Sequence, residues 1–171
     1  MDYTYIDKNL ARVREDLRAA CEAGGYDPAG VTLMAAIKSA EVEEINYLHT
    51  ALGVTHVGEN RVQQLLERYE KLEREGLSIH FIGTLQTNKV KYIIDKVDLI
   101  HSVDSFRLAN EISKRAQAIG KVQDILIEVN IGGEASKSGV AADCLDGLLE
   151  KIARMPHVCV KGLMTITPIC E

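Results

Sequence analysis

The chain has 171 residues, with 20 Lys and Arg against 25 Asp and Glu, which gives a formal net charge of −5. This length suits one domain with a substantial core. The mild acidity argues against a nucleic-acid-binding protein, which needs a basic surface for the phosphates. Apolar runs stay well short of the roughly 20 residues of a membrane helix, so we expect neither nucleic acid nor membrane as a partner.

The cysteines indicate a reducing compartment. Cys21, Cys144, Cys159 and Cys170 are far apart, and none forms a C-x-x-C pair of the kind found in zinc knuckles and redox motifs. Four cysteines are also too sparse for a disulfide scaffold. Because the first residues are polar and no apolar secretory segment follows, we predict a cytoplasmic protein.

The pattern of apolar residues predicts a helix followed by alternating strands and helices. Residues 6, 10, 13, 17 and 21 form one apolar stripe, and the Gly-Gly pair at 24–25 ends this first helix. The predicted strands are 31–37, 55–57, 78–82, 99–103, 125–130 and 158–166. The predicted helices between them are 41–52, 61–75, 88–96, 105–119 and 141–154.

This βα repeat fits two architectures, an open doubly wound sheet and a (βα)8 barrel. The first strand is not followed by G-x-G-x-x-G, which disfavours the dinucleotide-binding form of the open sheet. A barrel needs eight strands and usually about 250 residues. We therefore predict an α/β fold, a TIM-type (βα)8 barrel with an extra N-terminal helix. Residues 1–171 would form a single domain holding about six of its strands, with the C-terminal part missing.

Lys38 is the first candidate for chemistry, because it follows an apolar strand where α/β folds build their sites. Side chains alternate along a strand, so Lys38 shares a face with Ala36 and Met34, whereas Ile37 shares the opposite face with Ala35. The more apolar set suits contact with helices, which directs Lys38 into the barrel mouth. A lysine amine placed there is a nucleophile for aldehydes. A lysine that simply reaches solvent is the alternative.

Other motifs predict structure more than catalysis. His56, His80 and His101 lie on three predicted strands, but metal-binding spacings such as H-x-H or H-E-x-x-H are absent, so we predict no metal site. The loop at 131–139 lacks both glycines of a nucleotide-binding P-loop, and no G-x-S-x-G hydrolase motif occurs. Asn60 and Gln63 have capping-box spacing for the next helix.

Five motifs taken together resemble the YggS/PROSC family of pyridoxal phosphate (PLP) homeostasis proteins. They are Ala-Ala-Ile-Lys at 35–38, Gly-Glu-Asn-Arg-Val-Gln at 58–63, the segment 80–89, the segment 129–139 and Lys-Gly-Leu-Met at 161–164. Their order and approximate spacing are those of the family.

The resemblance implies a barrel like the N-terminal domain of alanine racemase and an internal aldimine between Lys38 and PLP. It places Asn60, His80 and Gln86 near the cofactor and implies no catalytic or metal-binding residue. The residues flanking Lys38, Ile37 and Ser39, depart from the usual family motif. The family's phosphate-binding motifs would lie beyond residue 171.

The leading functional hypothesis is a PLP carrier or regulator that does not turn over amino acids, with PLP-dependent apo-enzymes as partners and a monomeric state favoured. A PLP-dependent racemase or decarboxylase of the same barrel type is the alternative. Racemisation needs a second acid or base opposite the lysine, and the sequence offers no clear candidate. A Schiff-base aldolase that uses Lys38 without a cofactor is a third hypothesis.

Overall fold

The computed structural model describes residues 2–132 and 138–167. Helix α1 (Thr4–Gly24) comes first, and strands then alternate with helices. The strands are β1 (Ala35–Ala36), β2 (His56–Glu59), β3 (Ser78–Phe81), β4 (Leu99–Val103), β5 (Gln123–Asn130), β6 (Val140–Ala141) and β7 (Val158–Met164). The other helices are α2 (Val42–Thr50), α3 (Val62–Tyr69), α4 (Val90–Ile93), α5 (Phe106–Ala118) and α6 (Leu145–Ile152). Three short 3-10 turns are Pro28–Gly30, Thr87–Lys89 and Ala142–Cys144.

All pairings in the sheet are parallel, which confirms the predicted α/β class. Strands β1 to β5 lie side by side in chain order. Strand β7 pairs with β5 along Gln123–Glu128, and the short β6 pairs with the last two residues of β5. Strand β6 was not predicted, since two residues carry no readable alternation.

The hydrophobic core lies between the sheet and the helices. Val57, Ile79, Ile100 and Ile125 come from four successive strands, and each is at most 2% exposed. The same cluster includes Ile112 of α5 and Ile152 of α6. Burying such a side chain contributes about 1.5–3 kcal/mol. This one-sided packing leaves the opposite face of the strands to carry polar side chains.

The largest departure from prediction concerns the first strand, which shrinks from 31–37 to two residues. Strand β1 pairs only with β2, and no other described strand lies along its outer edge. Val31 is 43% exposed. The apolar alternation is present in the sequence, but a strand forms only where a neighbour accepts its hydrogen bonds.

Two predicted helices are also shorter than expected. The helix predicted over 61–75 ends at Tyr69, where the backbone turns through hydrogen bonds such as Lys71 N to Arg68 O at 2.8 Å. The helix predicted over 88–96 is reduced to one turn of α4, which follows a 3-10 turn.

Within residues 2–132 and 138–167, none of the helices has the length and apolar character needed to cross a membrane.

Candidate functional site

Lys38 and Asn60 lie at the same level on the carboxyl edge of the sheet. Ala36 pairs with Gly58 in the register of β1 and β2, and Lys38 and Asn60 each follow two residues later. The parallel pairing continues past β1, because Ile37 N donates to Gly58 O at 2.9 Å. Lys38 is exposed and Asn60 is half-buried. A lysine and an asparagine thus occupy equivalent positions after two neighbouring parallel strands, although Asn60 lines the cavities described below and Lys38 is not among their lining residues.

The end of β3 packs directly against the end of β2. Ile82 N donates to Glu59 O at 2.9 Å, which extends this pairing past both strands. A β-carbon on Gly83 would lie 2.1 Å from the backbone oxygen of Asn60. Only glycine permits this approach, since real β-carbons do not come so near to a backbone atom.

Two cavities meet at Asn60. The first, of about 280 Å³, is lined by Asn60, residues 82–84, residues 128–130, Ser138 and Ile166. The second, of about 260 Å³, is lined by residues 60–63, Phe81, Thr84, Gln86 and Lys89. The first cavity joins the ends of β2 and β3 to those of β5 and β7, so the sheet curves around it. Asn60 Oδ1 is buried without a hydrogen-bond partner in the described structure.

Glu128 adds a buried carboxyl group to the first cavity. It is 7% exposed and lies among the residues that line this cavity. Burial raises its pKa, and the negative charge of Asp104 raises it further. Sequence reasoning missed Glu128. Its signal was the alternation along β5, which places Glu128 on the face opposite Ile127.

Three histidines form a hydrogen-bonded row, the histidine row, across β2, β3 and β4. His56 Nδ1 lies 3.1 Å from His80 Nε2, and His80 Nδ1 lies 2.8 Å from His101 Nε2. Ser78 Oγ also lies 3.1 Å from His80 Nε2. Burial, assisted by His101 and His56, lowers the pKa of His80 to about 4. Burial also lowers the pKa of His101. His80 and His101 are therefore neutral near pH 7.

A buried ion pair lies on the helix side of the carboxyl edge. Arg68 Nη1 lies 2.9 Å from Glu59 Oε2, with side chains 16% and 0% exposed. Glu59 Oε1 accepts hydrogen bonds from the backbone N–H groups of Asn60 and Arg61 at 2.7 and 3.1 Å. The predicted Asn60–Gln63 capping box is not what caps α3, whose N-cap is Arg61 without a side-chain cap. The sequence feature that indicates this pair is the acidic residue Glu59, which lies two residues after Val57 and so shares its helix-facing side of β2.

The structure brings together some of the residues predicted to bind a cofactor. Asn60 and Gln86 line one cavity, and Lys38 lies level with Asn60. His80 belongs to the histidine row and lines neither cavity. Of the predicted loop 131–139, residues 133–137 lie outside the described part. In residues 2–132 and 138–167, no three His, Cys, Asp or Glu side chains are arranged to hold a metal ion.

Comparison with known proteins identifies the family of this chain. The family profile "Alanine racemase, N-terminal domain" matches residues 8–170. The "Pyridoxal phosphate homeostasis protein" of Aquifex aeolicus (strain VF5) is 48% identical over 164 residues, covering 96% of this chain and 72% of that protein. This chain belongs to the YggS/PROSC family. A second member, the protein of the same name from Escherichia coli (strain K12), is 35% identical over 94% of this chain and 70% of its own length.

Solved structures extend the likeness of this YggS/PROSC chain to three dimensions. An unknown protein from Bifidobacterium adolescentis has a TM-score of 0.88 at 34% identity, over 97% of this chain and 72% of that one. PipY, the COG0325 family member of Synechococcus elongatus PCC7942, solved with PLP bound, has a TM-score of 0.77 at 28% identity, over 91% and 72%. Alanine racemase of Clostridium difficile 630, at 16% identity and a TM-score of 0.65, shares the fold over 81% of this chain and 36% of its own.

Proposed function

We propose that this protein binds PLP, holds it as a Schiff base with Lys38, and serves PLP homeostasis without turning over amino acids. The observation that carries the proposal is the exposed amine of Lys38 level with Asn60 at the carboxyl edge. The names of the curated relatives and the PLP-bound structure of PipY support it. The amine nitrogen would replace the aldehyde oxygen of PLP, which leaves as water.

The residues at this edge fit such a cofactor. Asn60, whose Oδ1 is a buried acceptor without a partner in the described residues, lines two cavities of about 260 and 280 Å³. Ligand pockets of about 300–1,000 Å³ are usual for small molecules. Lys38, Asn60 and Gln86 would hold the cofactor, and His80 would support the strands beneath it. PLP, when bound, supplies an electron sink for an attached amine.

We propose no turnover of amino acids because turnover requires a proton transfer for which His80 is poorly suited. Moving a proton at the cofactor needs a second acid or base with suitable geometry and pKa. Both ring nitrogens of His80 already contact His56, Ser78 or His101, and its pKa lies at about 4. His80 is therefore a poor proton acceptor at neutral pH.

One observation favours the alternative, a PLP-dependent racemase or decarboxylase. Glu128 lines the cavity of about 280 Å³ at the carboxyl edge, and burial raises its pKa, which is the direction that suits a general acid. Incubation of the full-length protein and PLP with L-alanine, L-ornithine or L-lysine separates the two functions. We expect no sustained racemisation or carbon dioxide release. Multiple turnover that disappears in both Lys38→Ala and Glu128→Gln would establish the alternative.

The remaining parts of the proposal concern the fold and its setting. The curvature of the parallel sheet around the larger cavity supports a (βα)8 barrel, with residues 1–171 as one PLP-binding domain. The protein would work in the cytoplasm as a monomer and exchange PLP with PLP-dependent apo-enzymes. Sedimentation of the full-length protein tests the monomeric state.

Borohydride reduction of the full-length protein with PLP tests the cofactor assignment. We expect a visible absorption band and, after reduction, a peptide adduct on Lys38. Lys38→Ala should lose both signals, and Lys91→Ala, which changes an exposed lysine of α4, should keep them. An adduct on Lys89 or Lys137 in the wild-type protein would overturn the assignment to Lys38.

A further inference from the structure

We infer that Glu59 and Arg68 are positioning residues for the amine of Lys38. This inference rests on the proposed function, because it concerns how the chain presents that amine to an aldehyde. Both side chains lie on the helix side of the sheet, since Glu59 alternates with Gly58 and Asn60 and packs beside α3. They act through the backbone and do not touch the ligand.

Arg68 fixes the peptide group immediately before Lys38. Its Nη1 donates to the backbone oxygen of Ile37 at 2.9 Å. The same oxygen accepts a hydrogen bond from Ala40 N at 3.1 Å, which closes the turn after β1. Gln64 Nε2 approaches the backbone oxygen of Lys38 itself at 3.4 Å. The backbone on both sides of the Lys38 α-carbon is therefore held from α3.

Glu59 connects this contact to the end of β2. One carboxylate oxygen accepts from Arg68, and the other accepts from the backbone N–H groups of Asn60 and Arg61. Hydrogen bonds to a charged acceptor are shorter and stronger than neutral ones. Because Glu59 is fully buried, water does not compete for them. Through Arg68, the Glu59 carboxylate thus connects the backbones that carry Lys38 and Asn60.

Backbone pairing joins the strand before Lys38 to β2. Ala35 and Ala36 pair with Val57 and Gly58, and Ile37 N donates to Gly58 O at 2.9 Å. The side-chain link through Arg68 adds a further constraint, at the peptide group between Ile37 and Lys38. A displacement of about 1 Å at a reacting group costs up to about 100-fold in rate, so loss of this link should slow the reaction of Lys38.

The experiment compares the wild-type full chain with Glu59→Gln, Arg68→Met, the double variant and Ile152→Ala. Removing one partner leaves a buried charge unpaired and can prevent folding, whereas removing both is often neutral for stability. The double variant is therefore expected to fold even if the single variants do not, so its reaction with PLP can be measured. Ile152→Ala is the control, because it opens a cavity in α6, away from the carboxyl edge.

The main measurement is the rate at which a borohydride-stable adduct forms on Lys38 at saturating PLP. We expect the double variant to fold, with a melting temperature near that of the wild type, and to react about 10- to 100-fold more slowly. Ile152→Ala should react at the wild-type rate while it remains folded. A wild-type rate in the folded double variant would overturn the inference.

Amide hydrogen exchange without PLP separates failure of this inference from failure of the proposed function. Exchange at residues 38–40 should increase in the double variant and stay unchanged in Ile152→Ala. Unchanged exchange at these residues in the double variant overturns the positioning role, whatever PLP does. If exchange increases but the wild-type protein forms no Lys38 adduct, the proposed function fails, and with it the role of the pair in that reaction.

Discussion

The backbone oxygen of Asn60 lies 2.1 Å from the point that a β-carbon on Gly83 would occupy. This contact joins the ends of β2 and β3 and forms part of the wall of the larger carboxyl-edge cavity. Gly83 has no side chain to separate the two backbones. The position of Asn60 therefore depends on residue 83 being glycine.

Gly83→Ala should therefore be disruptive. Forcing the two backbones apart is expected to cost about 1–3 kcal/mol of unfolding free energy, as overpacking usually does, and to weaken PLP binding. Urea denaturation and a PLP titration measure the two effects. Gly30→Ala is the matched control, because a β-carbon there meets nothing within 4 Å. Equal effects of the two substitutions would contradict this account of the contact.

Asn60→Ala should weaken PLP binding with little change in stability. The substitution removes an amide whose oxygen has no protein partner in the described residues, so the folded chain loses no bond through that oxygen. A ligand hydrogen bond is worth about 1 kcal/mol, which corresponds to a loss of affinity of about fivefold. Equilibrium titration with PLP measures it, with Asn88→Ala, an exposed residue, as the control. Wild-type affinity in Asn60→Ala would remove Asn60 from the site.

Stability should fall as the pH is lowered from about 6.5 to 4. In this range an unfolded chain protonates His80, whereas the folded chain keeps it neutral because its pKa is depressed to about 4. The stabilisation is complete above the unfolded pKa and is lost towards the folded pKa. The total corresponds to about 3 kcal/mol at 1.36 kcal/mol per pH unit. Urea denaturation from pH 8 to 4 measures the slope, which should be shallower in His80→Gln. The same slope in both proteins would show that His80 does not titrate in this way.

Glu128→Gln should stabilise the protein at pH 8. Burial and Asp104 raise the pKa of Glu128, so folding favours its protonated form, and this favourable contribution is lost as the pH rises through the folded pKa. Glutamine has the shape of the protonated acid without the charge. The advantage of Glu128→Gln should therefore shrink as the pH is lowered and the native glutamic acid becomes protonated. Thermal unfolding at pH 8 and pH 4 measures it, with the exposed Glu150→Gln as the control. A destabilised Glu128→Gln at pH 8 would indicate that the charged carboxylate has a partner in the native state.

The order of strands and helices could be predicted because apolar periodicity is a local property. Strand β4 matches its predicted bounds, Leu99–Val103. The length of β1 could not be predicted, because it depends on which strands lie beside it. The roles of Glu59 and Arg68 were equally hidden, since nine positions separate them and only the packing of α3 on β2 brings them to 2.9 Å. The position of Lys38 at a strand end could be predicted, because it follows an apolar strand in the sequence. The raised pKa of Glu128 could not be predicted, because it results from burial in the folded chain.

The histidine row has a consequence for tautomers. A neutral imidazole carries one N–H, and His80 contacts a neighbouring ring through each of its nitrogens. If His80 carries its proton on Nδ1, it donates to His101 Nε2, which must then be unprotonated. If the proton is on Nε2, His101 Nε2 must donate to His80 Nδ1, and His56 Nδ1 is free to accept. The proton positions on three neighbouring strands are therefore correlated. A tautomeric change in one ring requires a change in the next, and the row transmits the polarity of its hydrogen bonds from one strand to the next across the sheet.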